Sequence, residues 1–151
     1  MNRALFTSNK DDWCTPKELF DKLDREFHFD LDAAASFENA KCKRYFTKET
    51  DALKNPWIGT VFCNPPYGRN VIKWVQKAAS EAMNGATVVM LIAARTDTIF
   101  FHRYIYNKPN VEIRFIKGRL KFTDVNGNST YPAPFPSMVV IFRPANNYEE
   151  E

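Results

Sequence analysis

The sequence predicts an α/β domain of three layers, with helices on both faces of a mostly parallel sheet. Three observations carry this expectation. Strand-like and helix-like segments alternate through the first two thirds of the chain. Strand-like runs then close it, which adds an antiparallel strand at the C-terminal end. The 151 residues contain no repeat and no domain boundary, so residues 1–151 read as one domain.

Residues Met1–Asp12 are polar and read as a loose lead-in. Thr15-Pro16 reads as a helix start, with Thr15 as the cap, Pro16 in the first turn and Glu18 completing a capping box. Leu19, Phe20, Leu23 and Phe27 then share one helical face. Phe27–Asp32 alternates as a strand ending in an acid, followed by the small residues Ala33–Ser36. Asn39–Phe46 suits either a short helix or a strand. Thr47–Trp57 is polar and turns at Asn55-Pro56. Thr60–Cys63 is a short apolar strand that runs directly into Asn64-Pro65-Pro66-Tyr67-Gly68.

Val71–Met83 has helical period, with Ile72, Val75 and Ala78 or Ala79 inward, and Asn84-Gly85 stops it. Ala86–Ala93 is the clearest buried strand. Asp97–Tyr106 reads as an aromatic-rich helix, Val111–Ile116 as a strand, and Arg119–Phe122 as a further strand or hairpin arm. Asp124–Ser129 is a turn, and Pro132, Pro134 and Pro136 exclude helix from the following loop. Ser137–Phe142 is the last buried strand, and Asn146–Glu151 an acidic tail.

Composition narrows the function classes. Apolar residues make up 44% and charged residues 26%, which argues against disorder, a collagen-like repeat or a disulfide miniprotein. The longest apolar run, Ala86–Ala94, is far short of the ~20 residues of a membrane span. No signal peptide is expected, because the first residues turn polar at Thr7. Cys14, Cys42 and Cys63 are odd in number and lack CxxC spacing, which suits reduced thiols in the cytoplasm. Two histidines leave little for a metal site, and none is expected. A net charge of +3 permits a polyanionic partner without demanding one. Aromatics reach 15%, enough for a core of large side chains and for a stacking surface under a flat ligand.

The strongest signal is Asn64–Gly68. In open α/β sheets, ligands bind beyond the carboxyl ends of the strands. Pro65 and Pro66 fix two φ angles and remove two backbone donors, and the residue before a proline is held extended. The result is a stiff loop offering the Asn64 side-chain carbonyl, the Pro65 backbone carbonyl and the Tyr67 ring. Two adjacent acceptors suit an amino group with two hydrogens, and a ring suits a planar base. The same residues also suit a plain Pro-Pro turn with Tyr67 packed inward.

Asn64-Pro-Pro-Tyr67 resembles the catalytic motif of amino-group methyltransferases that use S-adenosylmethionine. Further segments join it: Trp13-Cys-Thr-Pro16, Phe29–Ala35, Asn39–Cys42, Tyr45–Thr47, Ala94–Thr98 and Pro134–Ser137. Together they resemble the small phage and prophage DNA N6-adenine methyltransferases, the phage Dam-type family, from Trp13 to Phe142. The resemblance implies a Rossmann-like methyltransferase fold and a target adenine flipped out of double-stranded DNA. Asn64 and Pro65 would accept the two N6 hydrogens, with Pro66 stiffening the loop, and Tyr67 would stack on the base.

On the cofactor side, the resemblance assigns Asp32, Ala33, Ala34 and Asn64, with Trp13, Thr15 and Pro16 closing over the methionine end. Ala33–Ser36 stands where the family's wider relatives carry Gly-x-Gly. Asp51 resembles the acid that meets the cofactor's adenine, or is a solvated loop acid. Glu38 and Glu49 are candidates for the ribose acid.

For DNA, Arg95 would hold a phosphate beside the flipped base and Asp97 would orient it. Phe100 and Phe101 wall the base pocket or pack in the core. Arg114, Lys117, Arg119 and Lys121 touch phosphates or form a solvated strand face. His28 and His102 read as structural. At 151 residues there is no room for a separate target-recognition domain, so recognition falls to loops or a dimer. Three readings follow: a DNA adenine methyltransferase in the cytoplasm (of the host, if phage-encoded), a methyltransferase acting on RNA or a protein glutamine amide, and an inactive nucleic-acid-binding relative.

Overall fold

A computed structural model describes residues 14–35, 40–47, 51–68, 70–124 and 126–145. The elements are helix α1 (Lys17–Phe27), strands β1 (Leu31–Asp32), β2 (Arg44–Tyr45) and β3 (Thr60–Cys63), helix α2 (Val71–Met83), and strands β4 (Thr87–Ala93), β5 (Val111–Phe115), β6 (Lys121–Thr123), β7 (Ser129–Pro132) and β8 (Ser137–Phe142). A 3-10 turn spans Ala52–Lys54 and a π-type turn spans Phe101–Ile105.

The main sheet has six strands in the order β2-β1-β3-β4-β8-β5. β1 runs parallel to β2 and β3, and β3 parallel to β4. β8 enters antiparallel between β4 and β5, pairing Val88 with Phe142 and Ala93 with Ser137. The fold is therefore α/β with a mixed sheet. β6 and β7 form a separate antiparallel hairpin.

Side chains alternate across the pleat and build two cores. Val61, Cys63, Val88, Met90, Ile92, Met138 and Val140 face α2, meeting Val75, Ala78 and Ala82. Phe62, Val89, Leu91, Val139 and Ile141 face the other way, meeting Phe20 and Leu23 of α1 and Phe122, Ala133 and Phe135 around the hairpin. The two helices thus cover opposite faces of one sheet.

Several boundaries differ from expectation, each for a local reason. The strand expected over Phe27–Asp32 is only Leu31–Asp32. α1 continues to Phe27, then His28 turns left-handed at φ 57° and the Phe29 N–H donates to the Asp24 carboxylate. Asn39–Phe46 resolves as a strand at Arg44–Tyr45, with Asn39 outside the described residues. The aromatic helix has Thr98 at its start, its hydroxyl accepting the Phe101 N–H at 3.3 Å. Lys121–Thr123 is a hairpin arm, and Pro132 closes the opposite arm before the extended proline loop. The lead-in 1–12 and the acidic tail lie outside the described residues.

One buried acid has no signal in the sequence. Glu81 of α2 is 8% exposed, accepts the Trp57 N–H at 2.8 Å and pairs with Lys77 at 3.0 Å. Losing such a buried acceptor costs about 1–3 kcal/mol, comparable to deleting a core methylene pair. No described helix is long and apolar enough to cross a membrane.

Candidate active site

The parallel run of β1, β3 and β4 carries their C-terminal ends to one edge of the sheet. Asp32 ends β1, Asn64 follows β3 and Arg95 follows β4. β5 runs in the same direction, so Lys117 emerges at that edge as well.

Cys14, Thr15, Asp32, Ala34, Lys41, Phe62 and Asn64 line a small recess that opens to solvent. Asp32 lies at its wall and is 3% exposed. The Ala34 N–H donates to its Oδ1 at 3.3 Å and the Lys41 N–H to its Oδ2 at 3.0 Å. No side-chain cation pairs with it among the described residues. Burial pushes its pKa up to about 6, against those two backbone donors and the charge of the Lys41 side chain. A buried carboxylate of this kind favours a cationic occupant.

Asn64 is half-buried, and its Nδ2 donates to the Thr15 hydroxyl at 3.1 Å. This corrects the reading of Thr15 as helix cap. α1 begins at Lys17, so Pro16 takes the cap position and no side-chain cap bond forms. Thr15 sits one residue too early and turns its hydroxyl to Asn64 instead. Pro16 itself belongs to the helix entry and does not line the recess. Ala33 is fully buried with its N–H on the Phe62 carbonyl, while Ala34 faces the recess. Trp13, Glu38 and Glu49 lie outside the described residues.

Pro65 is buried and Pro66 exposed. The Tyr67 ring packs edge-on against Phe122 at 5.7 Å and tilted against Phe135 at 5.2 Å. Burial drives the Tyr67 phenol well above its usual range, so it stays protonated. The Arg95 guanidinium lies over the second of these rings, 5.7 Å from the centre of Phe135. Arg95 and Asp97 are both exposed and form no ion pair with each other, so the expected clamp between them is absent. The contact that Arg95 does make is this cation–π one with Phe135. Sequence alone assigns Pro134-Phe-Pro136 no role. The flanking prolines are the signal, but the ring's partners are distant in sequence.

Phe100 and Phe101 are both buried in the α2-side core, away from the recess. Helical spacing places them inward beside Ile105. Asp51 is exposed, left-handed at φ 48°, and pairs with Lys54 at 3.6 Å; it does not line the recess.

Of the basic stretch, Arg114 is committed elsewhere. Its guanidinium binds both Glu26 oxygens at 2.7 and 2.8 Å, and Glu112 at 2.7 Å. Lys117, Arg119 and Lys121 are exposed and make no ion pair among the described residues. Gly118 between them is left-handed at φ 76°, a bend that an L side chain would strain. Among the described residues, no three His, Cys, Asp or Glu side chains gather as a metal site would require.

Residues 3–150 match a family model described as DNA N-6-adenine-methyltransferase (Dam). A protein of Haemophilus phage HP1 (strain HP1c1) named DNA N-6-adenine-methyltransferase is 33% identical over 147 residues, covering 93% of this chain and 83% of that protein. A protein of the same name from Escherichia phage T1 is 36% identical over 122 residues, covering 79% of this chain. The chain spans only 50% of the phage T1 protein's length. A putative methyltransferase of Escherichia coli (strain K12), YfdM, is 38% identical over 65 residues, covering 38% of this chain and 71% of that protein.

Proposed function

The chain belongs to the DNA N-6-adenine-methyltransferase (Dam) family, and from that premise we propose that it methylates N6 of a flipped-out adenine in double-stranded DNA, using S-adenosylmethionine. The observation that carries this reading is Asn64-Pro-Pro-Tyr67 at the C-terminal end of β3, beside a recess walled by a buried carboxylate. The inserted antiparallel β8 and the two-sided helix cover support a three-layer Rossmann-like methyltransferase core in a single domain.

The recess fits the cationic, methionine end of the cofactor in charge. Asp32 is buried with no ion pair among the described residues, though the Lys41 charge acts on it from the same recess, and Ala34 leaves room for close approach. Thr15, Asp32, Ala34 and Asn64 would hold that end, with Ala33 shaping the wall behind; Trp13 and Asp51 stay as candidates by resemblance. When bound, S-adenosylmethionine supplies an electrophilic methyl group.

The chain's own residues act on the adenine. The Asn64 side-chain oxygen and the Pro65 carbonyl accept the two N6 hydrogens, which concentrates the lone pair on nitrogen. Both acceptors sit on a loop whose backbone Pro65 and Pro66 stiffen, which limits the reorganisation needed when the base arrives. The N6 proton becomes acidic only as the N–C bond forms, so no strong base is needed. Tyr67 offers its ring to the base, worth ~1–3 kcal/mol of stacking. Phe122 and Phe135 hold that ring in place. Arg95, Lys117, Arg119 and Lys121 supply exposed positive charge for phosphates.

The direct experiment is transfer of labelled methyl from S-adenosylmethionine to unmethylated DNA, with nucleoside analysis. N6-methyladenine is expected from the wild-type chain, and none from Asn64→Ala, which should still fold and bind cofactor. Labelling of RNA or protein in place of DNA would refute the DNA reading; wild-type activity in Asn64→Ala would refute the mechanism.

A further inference from the structure

We infer that Thr15 is a positioning residue for methyl transfer: its hydroxyl holds the Asn64 side-chain amide in place at the acceptor site. This rests on the methyltransferase reading above.

An amide has a donor end and an acceptor end of nearly the same shape, and only the oxygen can accept an N6 hydrogen. A half-turn about the last side-chain bond would present an NH2 group to the substrate NH2, with nothing to accept. The Thr15 hydroxyl accepts from Asn64 Nδ2 at 3.1 Å, with the nitrogen on the Thr15 side. A hydroxyl can donate as well as accept, so the contact holds the amide in place rather than choosing its end, and it does so only as firmly as the Thr15 oxygen is itself held.

The structure holds it closely. Thr15 is 3% exposed, so water does not compete for its oxygen. On one side its backbone is tied down by Cys14, which pairs with Thr123 of β6 through two hydrogen bonds of 2.9 and 3.0 Å. On the other side, Pro16 is set at φ −59° and opens α1. The same hairpin strand carries Phe122 against Tyr67. One strand therefore braces both ends of the Asn64–Tyr67 loop: Asn64 through Cys14 and Thr15, and Tyr67 through Phe122.

The inference separates two roles for Thr15, because a residue that merely holds cofactor would move affinity and leave turnover intact. Thr15→Val keeps shape and removes the hydroxyl. Its kcat should fall by about ten- to a hundredfold, the scale on which small misplacements act. That fall should persist at saturating cofactor, where any loss of the Thr15 cofactor contact no longer counts, and DNA KM should stay within about twofold. Thr15→Ser should restore most of the turnover. A normal kcat with weakened cofactor binding in Thr15→Val would overturn the inference, as would a Thr15→Ser as slow as Thr15→Val. Should Thr15→Val fail to fold, the wild-type protein still decides: the Asn64 side-chain amide protons should exchange slowly with solvent by NMR, and rapid exchange would overturn it. Inactivity of the wild-type chain on every acceptor would instead sink the underlying methyltransferase reading.

Discussion

At Asp32, desolvation and function pull in opposite directions. Its pKa of about 6 exceeds the ordinary 3.8 because burial disfavours the charged form. The sign follows from linkage. The folded protein binds the proton more tightly than the unfolded chain, so Asp32 contributes stability below pH 3.8 and loses it as pH rises through about 6. A cationic ligand in the recess reverses this, because it favours the charged carboxylate. Cofactor affinity should therefore rise between about pH 5 and 7, with its midpoint near 6, and level off above. Calorimetric titration across that range checks it, and Asp32→Asn should flatten the profile. At Tyr67 the ring and the hydroxyl make separate predictions. Stacking is a property of the ring, so Tyr67→Phe should keep most activity while Tyr67→Ala loses about ten- to a hundredfold, from ~1–3 kcal/mol. Equal losses in the two variants would assign the role to the hydroxyl. The Asn64–Tyr67 motif was legible in the sequence because its four residues are adjacent. The partner of Asn64 was not, since Thr15 is 49 positions away and looks like a helix cap until the helix is seen to start at Lys17.

Among the elements, the β5–β6 segment divides a run of like charges into two jobs. Arg114 faces Glu26 of α1 and Glu112, and stacks 5.6 Å over the Phe27 ring. It clamps α1 to the sheet edge. Lys117, Arg119 and Lys121 flank the Gly118 bend and carry no such partners among the described residues. Replacing these three with Gln should reduce the salt dependence of DNA affinity by about 0.9 for each phosphate no longer neutralised. Arg114→Gln should leave that slope unchanged and lower stability instead. Hydrogen bonds from Arg114 hold the carboxyls of Glu26 and Glu112 below their usual 4.5, with Arg143 adding to the second. The clamp is thus complete above pH 4.5 and is lost as pH falls through those lowered values, so acid should close the stability gap between Arg114→Gln and wild type. Thermal melts of the two proteins from about pH 3 to 7 test this. Sequence spacing alone left all four cations equivalent, because their partners are set by strand order.

For the molecule as a whole, one sheet serves both cores, and α1 and α2 pack on its opposite faces. Two cores sharing one sheet should unfold in one transition, with circular dichroism and tryptophan fluorescence superimposing. Trp57 and Trp74 report from the α2 side, 6.1 Å apart, so a separate early fluorescence change would expose a divided molecule. Sequence alone determined the alternation of helix and strand, the limits of β3, α2 and β8, and the loop of Asn64–Tyr67. Those features depend on residues near one another in the chain, where period, proline and glycine act directly. Only the tertiary structure decided that β8 runs antiparallel between β4 and β5, and that β6 and β7 stand apart as a hairpin. It also turned Thr15 to Asn64, seated Phe135 between Tyr67 and Arg95, and withdrew Arg114 from the exposed basic stretch. Each of these joins residues far apart in the chain, and local propensity carries no information about which distant partner packing will bring within reach.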